Sequence, residues 1–293
     1  MNKREVCIIF NPAAKGERAR KSIPVIRDAF RDAEFIETER AGHATDLAVE
    51  AGKRFRKVLA AGGDGTINEV ANGLAHTDAA LGILPIGTVN VFAMELGIST
   101  RLEKAIQVIK RGKVRQVDLA KANDRFFVQL AGVGLDAETV RMTNNESKKA
   151  LGPLSYLMTL TQVVGQVASP LKICNGHEEP LEGTFVLIGN GRHYGGPFNF
   201  FPEAQLDDGL LDICVFHRLS HFDLLRYFRG ILVNGGHTKF TDVTYFKTDH
   251  IEISGGLHEA PFEVDGEFHG NCPVKFSVAP RALKVLVPDK NNK

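Results

Sequence analysis

Three short apolar runs near the start of the chain, Val6–Phe10, Arg56–Ala61 and Leu81–Pro85, each pass through a small-residue loop into a stretch of helical periodicity. Strands apolar at nearly every position are buried on both faces, and their alternation with helices predicts a parallel sheet covered by helices. The loops read Asn11-Pro12-Ala13-Ala14-Lys15-Gly16, Gly62-Gly63-Asp64-Gly65 and Ile86-Gly87-Thr88-Val89-Asn90; a basic helix is expected from about Glu17, and the third helix runs through Leu96. Three consecutive strand, loop, helix units place their loops on one carboxyl edge, where open α/β sheets bind ligands. From about Val114 the pattern changes to short alternating strands (Arg125–Ala131, Thr184–Ile188, Leu210–Phe216, His250–Ser254, Phe262–Val264) punctuated by Asn-Asp, Gly-Gly and Asp-Gly. This predicts a second, mainly β domain interrupted by helices near Leu154–Val167 and Phe222–Val233. A last strand-like run, Ala282–Val287, is assigned to neither domain by its pattern.

The stretch from Ala150 to Leu171 contains no charged residue and is long enough to cross a bilayer. Its polar residues Ser155, Thr159, Gln162, Gln166 and Ser169 recur at spacings of 4, 3, 4 and 3, which gathers them on one helix face. We therefore expect an amphipathic helix and no membrane span; cover by neighbouring protein and contact with lipid both account for it.

At 293 residues the chain exceeds what one core usually supports, which agrees with two domains. Thirty-six Lys plus Arg against 35 Asp plus Glu leave a charge of +1, without the basic excess that nucleic-acid binding rewards. Four scattered cysteines, Cys7, Cys174, Cys214 and Cys272, form no Cys-x-x-Cys pair and read as reduced residues of a cytoplasmic protein. The N-terminus lacks the long apolar core of a signal peptide, so secretion is not expected.

The glycines around Asp64 let backbone amides approach a phosphate, and Asp64 beside it suits Mg²⁺. Thr66-Ile67-Asn68-Glu69 also fits a helix capping box that needs no ligand. No P-loop, His-Glu-x-x-His or Gly-x-Ser-x-Gly motif occurs, and Gly132-Val-Gly134-Leu-Asp136-Ala137 is only a loose dinucleotide pattern. Two Asp-Gly turns, at Asp207-Asp208-Gly209 and Asp265-Gly266-Glu267, read either as hairpin turns or as the source of a carboxylate base that a phosphate-binding edge lacks.

Taken in order, Asn11-Pro12, Gly62-Gly-Asp-Gly-Thr-Ile-Asn-Glu69, Pro85-Ile-Gly-Thr-Val-Asn90, Gly132-Val-Gly-Leu-Asp-Ala137, Leu206-Asp-Asp-Gly-Leu210 and Val264-Asp-Gly-Glu267 resemble the diacylglycerol kinase catalytic family of lipid kinases over nearly the whole chain. The family includes bacterial diacylglycerol kinases and is similar to sphingosine kinases. The resemblance implies an α/β nucleotide-binding domain like that of phosphofructokinases and NAD kinases, over residues 1–122 with a returning strand at 281–293. A β-sandwich lipid-substrate domain would cover 123–280. It implies ATP and Mg²⁺ as cofactors, with Asn11, Pro12, Ala13, Ala14, Lys15, Thr38, Gly62, Gly63, Asp64, Gly65, Thr66, Asn68, Glu69 and Thr88 at the nucleotide. It further implies Asp64, Asp265 and Glu267 in catalysis, with Glu267 as base, and Asp118 near the catalytic metal. A structural Mg²⁺ would sit on Gln205, Asp208 and Leu210, and Asp136 would meet the lipid head group. The expected partner is a lipid substrate at a membrane surface, diacylglycerol or sphingoid-like, with peripheral membrane association and a homodimer left open and no nucleic acid. Two positions depart from the family pattern: Val91 stands where diacylglycerol kinases commonly carry Asp, and Met94 where they carry Arg. An NAD kinase-like enzyme and a nucleotide- or lipid-binding homologue without turnover are the alternatives.

Overall fold

A computed structural model describes residues 4–14, 16–142, 164, 170–176, 179–233, 235–256 and 259–289. The expected helix over Leu154–Val167 falls, except for Val164, outside the described residues, as does Lys15. The chain divides into two units: the first runs to Leu119 and resumes at Pro280, and the second spans Ala120–Ala279.

In the first unit, strands β1 (Arg4–Phe10), β2 (Glu34–Glu37), β3 (Phe55–Gly62) and β4 (Ala80–Pro85) form a parallel sheet in the order β2-β1-β3-β4. The connections are helices α1 (Gly16–Ala29), α2 (His43–Arg54) and α3 (Asp64–Leu74); α4 (Val91–Glu95) and α5 (Leu102–Arg111) follow β4. Cys7 to Phe10 and Val58 to Ala61 are fully buried, as the unbroken apolar runs require of strands covered on both faces. Strand β2 escaped the sequence reading because Glu-Phe-Ile-Glu offers only two apolar residues on a sheet edge. The order reverses between β1 and β3, so the loops after these neighbouring strands open the crevice where such sheets take ligands. The Asn11 amide donates to Ala61 O at 3.0 Å and fixes one loop to the other strand.

The chain leaves this unit along β5 (Lys113–Ala122) and returns along β18 (Val274–Val287), whose Lys284 and Val285 extend the parallel sheet beside β4. The Ala282–Val287 run is the end of this long strand.

In the second unit, β6 (Arg125–Phe127) pairs with β5, and the predicted Arg125–Ala131 strand is two strands, β6 and β7 (Leu130–Val133). Helix α6 (Leu135–Met142) follows, then β8 (Leu171–Cys174), β9 (Leu181–Gly183), β10 (Phe185–Gly189), the small ribbon β11 (His193–Tyr194) with β12 (Phe198–Asn199), and β13 (Leu211–Phe216). Helix α7 (His221–Leu232), β14 (Val243–Thr248), β15 (His250–Ser254), β16 (Pro261–Val264) and β17 (Glu267–Asn271) complete it. One antiparallel sheet runs β14-β13-β10-β7-β16-β17; β15 pairs with β8 and with the first half of β18, and β8 with β9. Alternate residues of both layers (Ile213 and Val215, Val186 and Ile188, Leu171 and Ile173, Ile251 and Ile253, Val274 and Phe276) meet in one buried cluster. This is the inward-facing period of two of a sandwich. The opposite face of β10 and β13, through Phe185, Leu187, Cys214 and Phe216, packs with Phe201 and with Tyr227 of α7. All four cysteines are free, and Cys7 and Cys214 are core residues.

Candidate functional site

On the first unit's carboxyl edge, the backbone of the Gly-Gly-Asp-Gly loop lies against the loop after β4. Ile86 and Gly87 amides both donate to Gly62 O at 3.1 Å. A Cβ on Gly87 would meet Gly63 Cα at 2.4 Å, so this glycine is required by close packing of the two loops, whereas one on Gly62 would strike Thr66 in the first turn of α3. Asp64, the first residue of α3, accepts the amides of Asn90 at 3.0 Å and Val91 at 2.5 Å. Burial of the carboxyl raises its pKa against the lowering effect of these two bonds. Because the Val91 contact is a backbone amide, replacing the family's usual Asp at 91 leaves the latch on Asp64 intact.

The capping-box reading of Thr66 and Glu69 fails. Helix α3 has no side-chain cap; Thr66 Oγ1 accepts Asn11 Nδ2 at 2.9 Å, and Glu69 accepts the amides of Gly42 and Ala44 at 2.9 and 3.0 Å. The two residues tie α3 to the loop after β1 and to the start of α2. Asn11 Oδ1 also takes the Ala13 amide, shaping the Pro12–Ala14 turn, and Thr38, buried at the end of β2, donates its amide to Phe10 O. Asn68 faces along its own helix, accepting Asn72 Nδ2. Gly65 and Thr88 are exposed on the edge. Asn90, which closes the Pro85–Asn90 motif without an expected role, is fully buried in a left-handed conformation, and neither polar atom of its side-chain amide has a partner among the described residues. Asp118, also buried, accepts the Arg281 amide at 2.7 Å.

In the second unit, Asp265 and Gly266 have φ of 49° and 82° and make the tight turn of the β16–β17 hairpin, so the turn reading of Asp-Gly holds. The turn is also tied into the sheet by its side chain. The Asp265 carboxylate accepts three backbone amides, Val128 at 2.9 Å, Gln129 at 3.0 Å and Leu130 at 3.1 Å, which bridges the interruption between β6 and β7. Glu267, two residues on, is exposed, and among the described residues its side chain has only a 3.5 Å approach from Arg125. Beneath the turn lies a polar group that sequence reading found only in part. Asp136, in the first turn of α6, and Glu263, in the middle of β16, are both buried and interact through their carboxyl groups, and the hydroxyl of Tyr194 bonds to Asp136. Burial raises the pKa of each, and for Glu263 the neighbouring Asp136 charge adds to the rise. Gly132 has a packing role in place of the dinucleotide one: a Cβ there would stand 2.3 Å from Asp136 Oδ2. Glu263 Oε2 accepts the Gly266 amide at 2.6 Å, tying the pair to the turn before Glu267. The signal for Glu263 is an acidic residue between Phe262 and Val264 in an otherwise apolar strand.

In the expected structural-metal loop a lysine ammonium engages the carboxylate. Asp208 accepts the Leu210 amide at 3.1 Å and holds Lys247 Nζ at 2.9 Å; the same ammonium donates to Glu203 O and lies 3.6 Å from buried Asp212. Among the described residues, no three His, Cys, Asp or Glu side chains converge as a metal site, and no helix is long and apolar enough to cross a membrane.

Comparison with known proteins matches the diacylglycerol kinase catalytic domain to residues 5–122 and the YegS C-terminal NAD kinase beta sandwich-like domain to residues 129–287. A diacylglycerol kinase of Staphylococcus aureus strain RF122 is 32% identical over 96% of this chain and 92% of its own length. That of Staphylococcus saprophyticus is 30% identical over 96% and 95%. The crystal structure of a Bacillus anthracis diacylglycerol kinase superposes with a TM-score of 0.79 at 27% identity, covering 98% of both chains. With both domain patterns, their order and the glycine loops and Asp-Gly-Glu turn in place, the chain belongs to the diacylglycerol kinase family and is a lipid kinase.

Proposed function

We propose that the chain transfers the γ-phosphate of ATP to a hydroxyl of a glycerolipid or sphingoid-like lipid, with Glu267 as the base. The observation that carries this reading is the Asp265 turn. A carboxylate that accepts three amides is a fixed structural point, and it leaves Glu267 as the turn's exposed and available carboxylate. Glu267 takes the acceptor's proton as the oxygen attacks phosphorus, and the bond from phosphorus to the β-phosphate bridge oxygen breaks, leaving ADP.

In the first unit the loop amides around Gly63 and Gly65, with Asn11 and Thr38 on the same edge and Thr88 beside Gly87, serve the nucleotide. The unpartnered amide of buried Asn90 fits a polar ligand at this edge, since it offers both a donor and an acceptor. Asp64 fits Mg²⁺ shared with phosphate oxygens, because its two amide bonds leave lone pairs on both oxygens. The ion would neutralise charge developing on the phosphates. Gln205, Asp208 and Leu210 remain a candidate cation loop in which any ion would share Asp208 with Lys247. The relatives' name favours diacylglycerol as acceptor, and Asp136 is the candidate for its head group.

The test is transfer of labelled phosphate from Mg²⁺-ATP to diacylglycerol, monoacylglycerol, sphingoid base, ceramide and polyprenol in mixed micelles. A labelled lipid that is absent with Asp64→Asn supports the reading and names the acceptor. Label on NAD and on no lipid would overturn it.

A further inference from the structure

Among the described residues, ten large hydrophobic side chains are exposed, and five of them, Phe222, Leu225, Phe228, Leu232 and Val233, lie in or just after α7. Phe222 and Leu225 are 74% and 68% exposed and Leu232 is 55% exposed, values unusual for such residues on one element. The spacing of 3, 3 and 4 from Phe222 to Leu232 places them in one stripe about 120° wide.

The helix is firmly seated on its other side. Tyr227, Gly230 and Ile231 are buried, the Tyr227 hydroxyl donates to Asp242 at 2.7 Å, and Arg226 pairs with the same carboxylate. Ser220 caps the N-terminus through the Asp223 amide. The outward stripe is therefore a fixed surface, with its polar anchors turned inward. Phe198 of β12 extends it, its ring 6.1 Å from that of Phe228.

Charge identifies the occupant. The stripe includes exposed Arg229 and His221, while the helix's one carboxylate, Asp223, lies on the far side, held by Ser220 and Arg226. Exposed Arg218 and Lys239 flank the helix at its two ends. Large apolar side chains interleaved with a cation and free of carboxylates form the composition of an interfacial helix, in which rings enter the acyl boundary and the guanidinium stays at the phosphates.

We propose that the α7 stripe, Phe222, Leu225, Phe228, Arg229, Leu232 and Val233, is a docking face for an anionic lipid bilayer. The proposal rests on the lipid-kinase reading only for the reason that such a face is useful: an acceptor dissolved in a membrane must be reached there. Vesicle binding without ATP tests the face independently of phosphoryl transfer.

The experiment sediments the full chain with phosphatidylcholine vesicles, with and without phosphatidylglycerol, and compares wild type with Phe222→Ser/Leu225→Ser and with Arg229→Glu. Binding of wild type to the anionic vesicles, reduced about tenfold or more in both variants with melting temperatures kept, is the expected result. Equal binding by all three proteins overturns the proposal. So does a wild-type dimer that the double variant converts to monomer, which would make the stripe a contact between copies. A fall in melting temperature of the double variant without lipid would overturn it too, since it would mark cover by the chain's own apolar segment at 150–171. If the lipid-kinase reading were wrong and the docking face right, labelled lipid would be absent while vesicle binding and its loss in the variants persisted.

Discussion

The buried carboxyl pair Asp136 and Glu263 makes the stability of the second unit depend on pH in a direction that can be worked out. In the unfolded chain both groups ionise near the ordinary carboxylate range, around pH 4. In the folded protein burial raises both, Asp136 to about 6 and Glu263 further, so the pair keeps protons that the unfolded chain has already lost. The native state thus binds more protons than the unfolded state above about pH 4, and stability falls as pH rises until the pair releases them. Each retained proton gives a slope of about 1.4 kcal/mol per pH unit for as long as it is held. For a unit of this size that corresponds to roughly 3–6 °C in melting temperature per pH unit.

Glu263→Gln is the matching perturbation. Its Oε1 can accept the Gly266 amide and its Nε2 can donate to Asp136, so both contacts of Glu263 survive without the retained proton. Other groups titrate nearby: burial pushes Asp212 up to about 6 and His237 and His269 down to about 4. These are common to both proteins and cancel in the difference. Melting curves at half-unit steps from pH 4.5 to 8 are expected to show the variant gaining on wild type as pH rises, by the slope above. Parallel curves for the two proteins would refute the retained proton.

Glu267→Gln is expected to abolish lipid phosphorylation with an unchanged melting temperature, because the side chain is exposed; steady-state transfer and calorimetry read both. Asp265→Ala removes the acceptor of three backbone amides and puts Ala in a left-handed conformation, so a loss of about 3 kcal/mol or more in urea unfolding is expected, together with loss of activity. Lys247→Met leaves Asp208 and buried Asp212 without their ammonium; the melting temperature should fall at pH 8, and Mg²⁺ should restore part of it in the variant and little in wild type.

What was legible in the sequence follows from how local each cause is. Buried parallel strands announce themselves as unbroken apolar runs, and Val6–Phe10, Arg56–Ala61 and Leu81–Pro85 sit within one residue of the observed β3 and β4 and inside β1. The same rule hides β2, whose edge position needs little apolar surface. The glycines around Asp64 read as room for phosphate, yet Gly62 is required first by the Thr66 side chain, and Gly87 of the next loop by a contact with Gly63 that only the fold creates. Thr66 and Glu69 satisfied a local capping rule and were used for long-range bonds instead, because the amides of Gly42 and Ala44 at the start of α2 stood closer to need. Asp136 was legible only through family likeness, and Glu263 not at all, since a lone acidic residue in a strand is ordinary until a second carboxyl is brought against it. Lys247 shows the same logic with the opposite charge: its role is set by Glu203, Asp208 and Asp212, all at least 35 positions away in the chain. Residues whose chemistry depends on such distant partners carry no sequence period or motif of their own. Glu263 and Lys247 belong to this class, and each is recognised only once the fold has brought its partners to it.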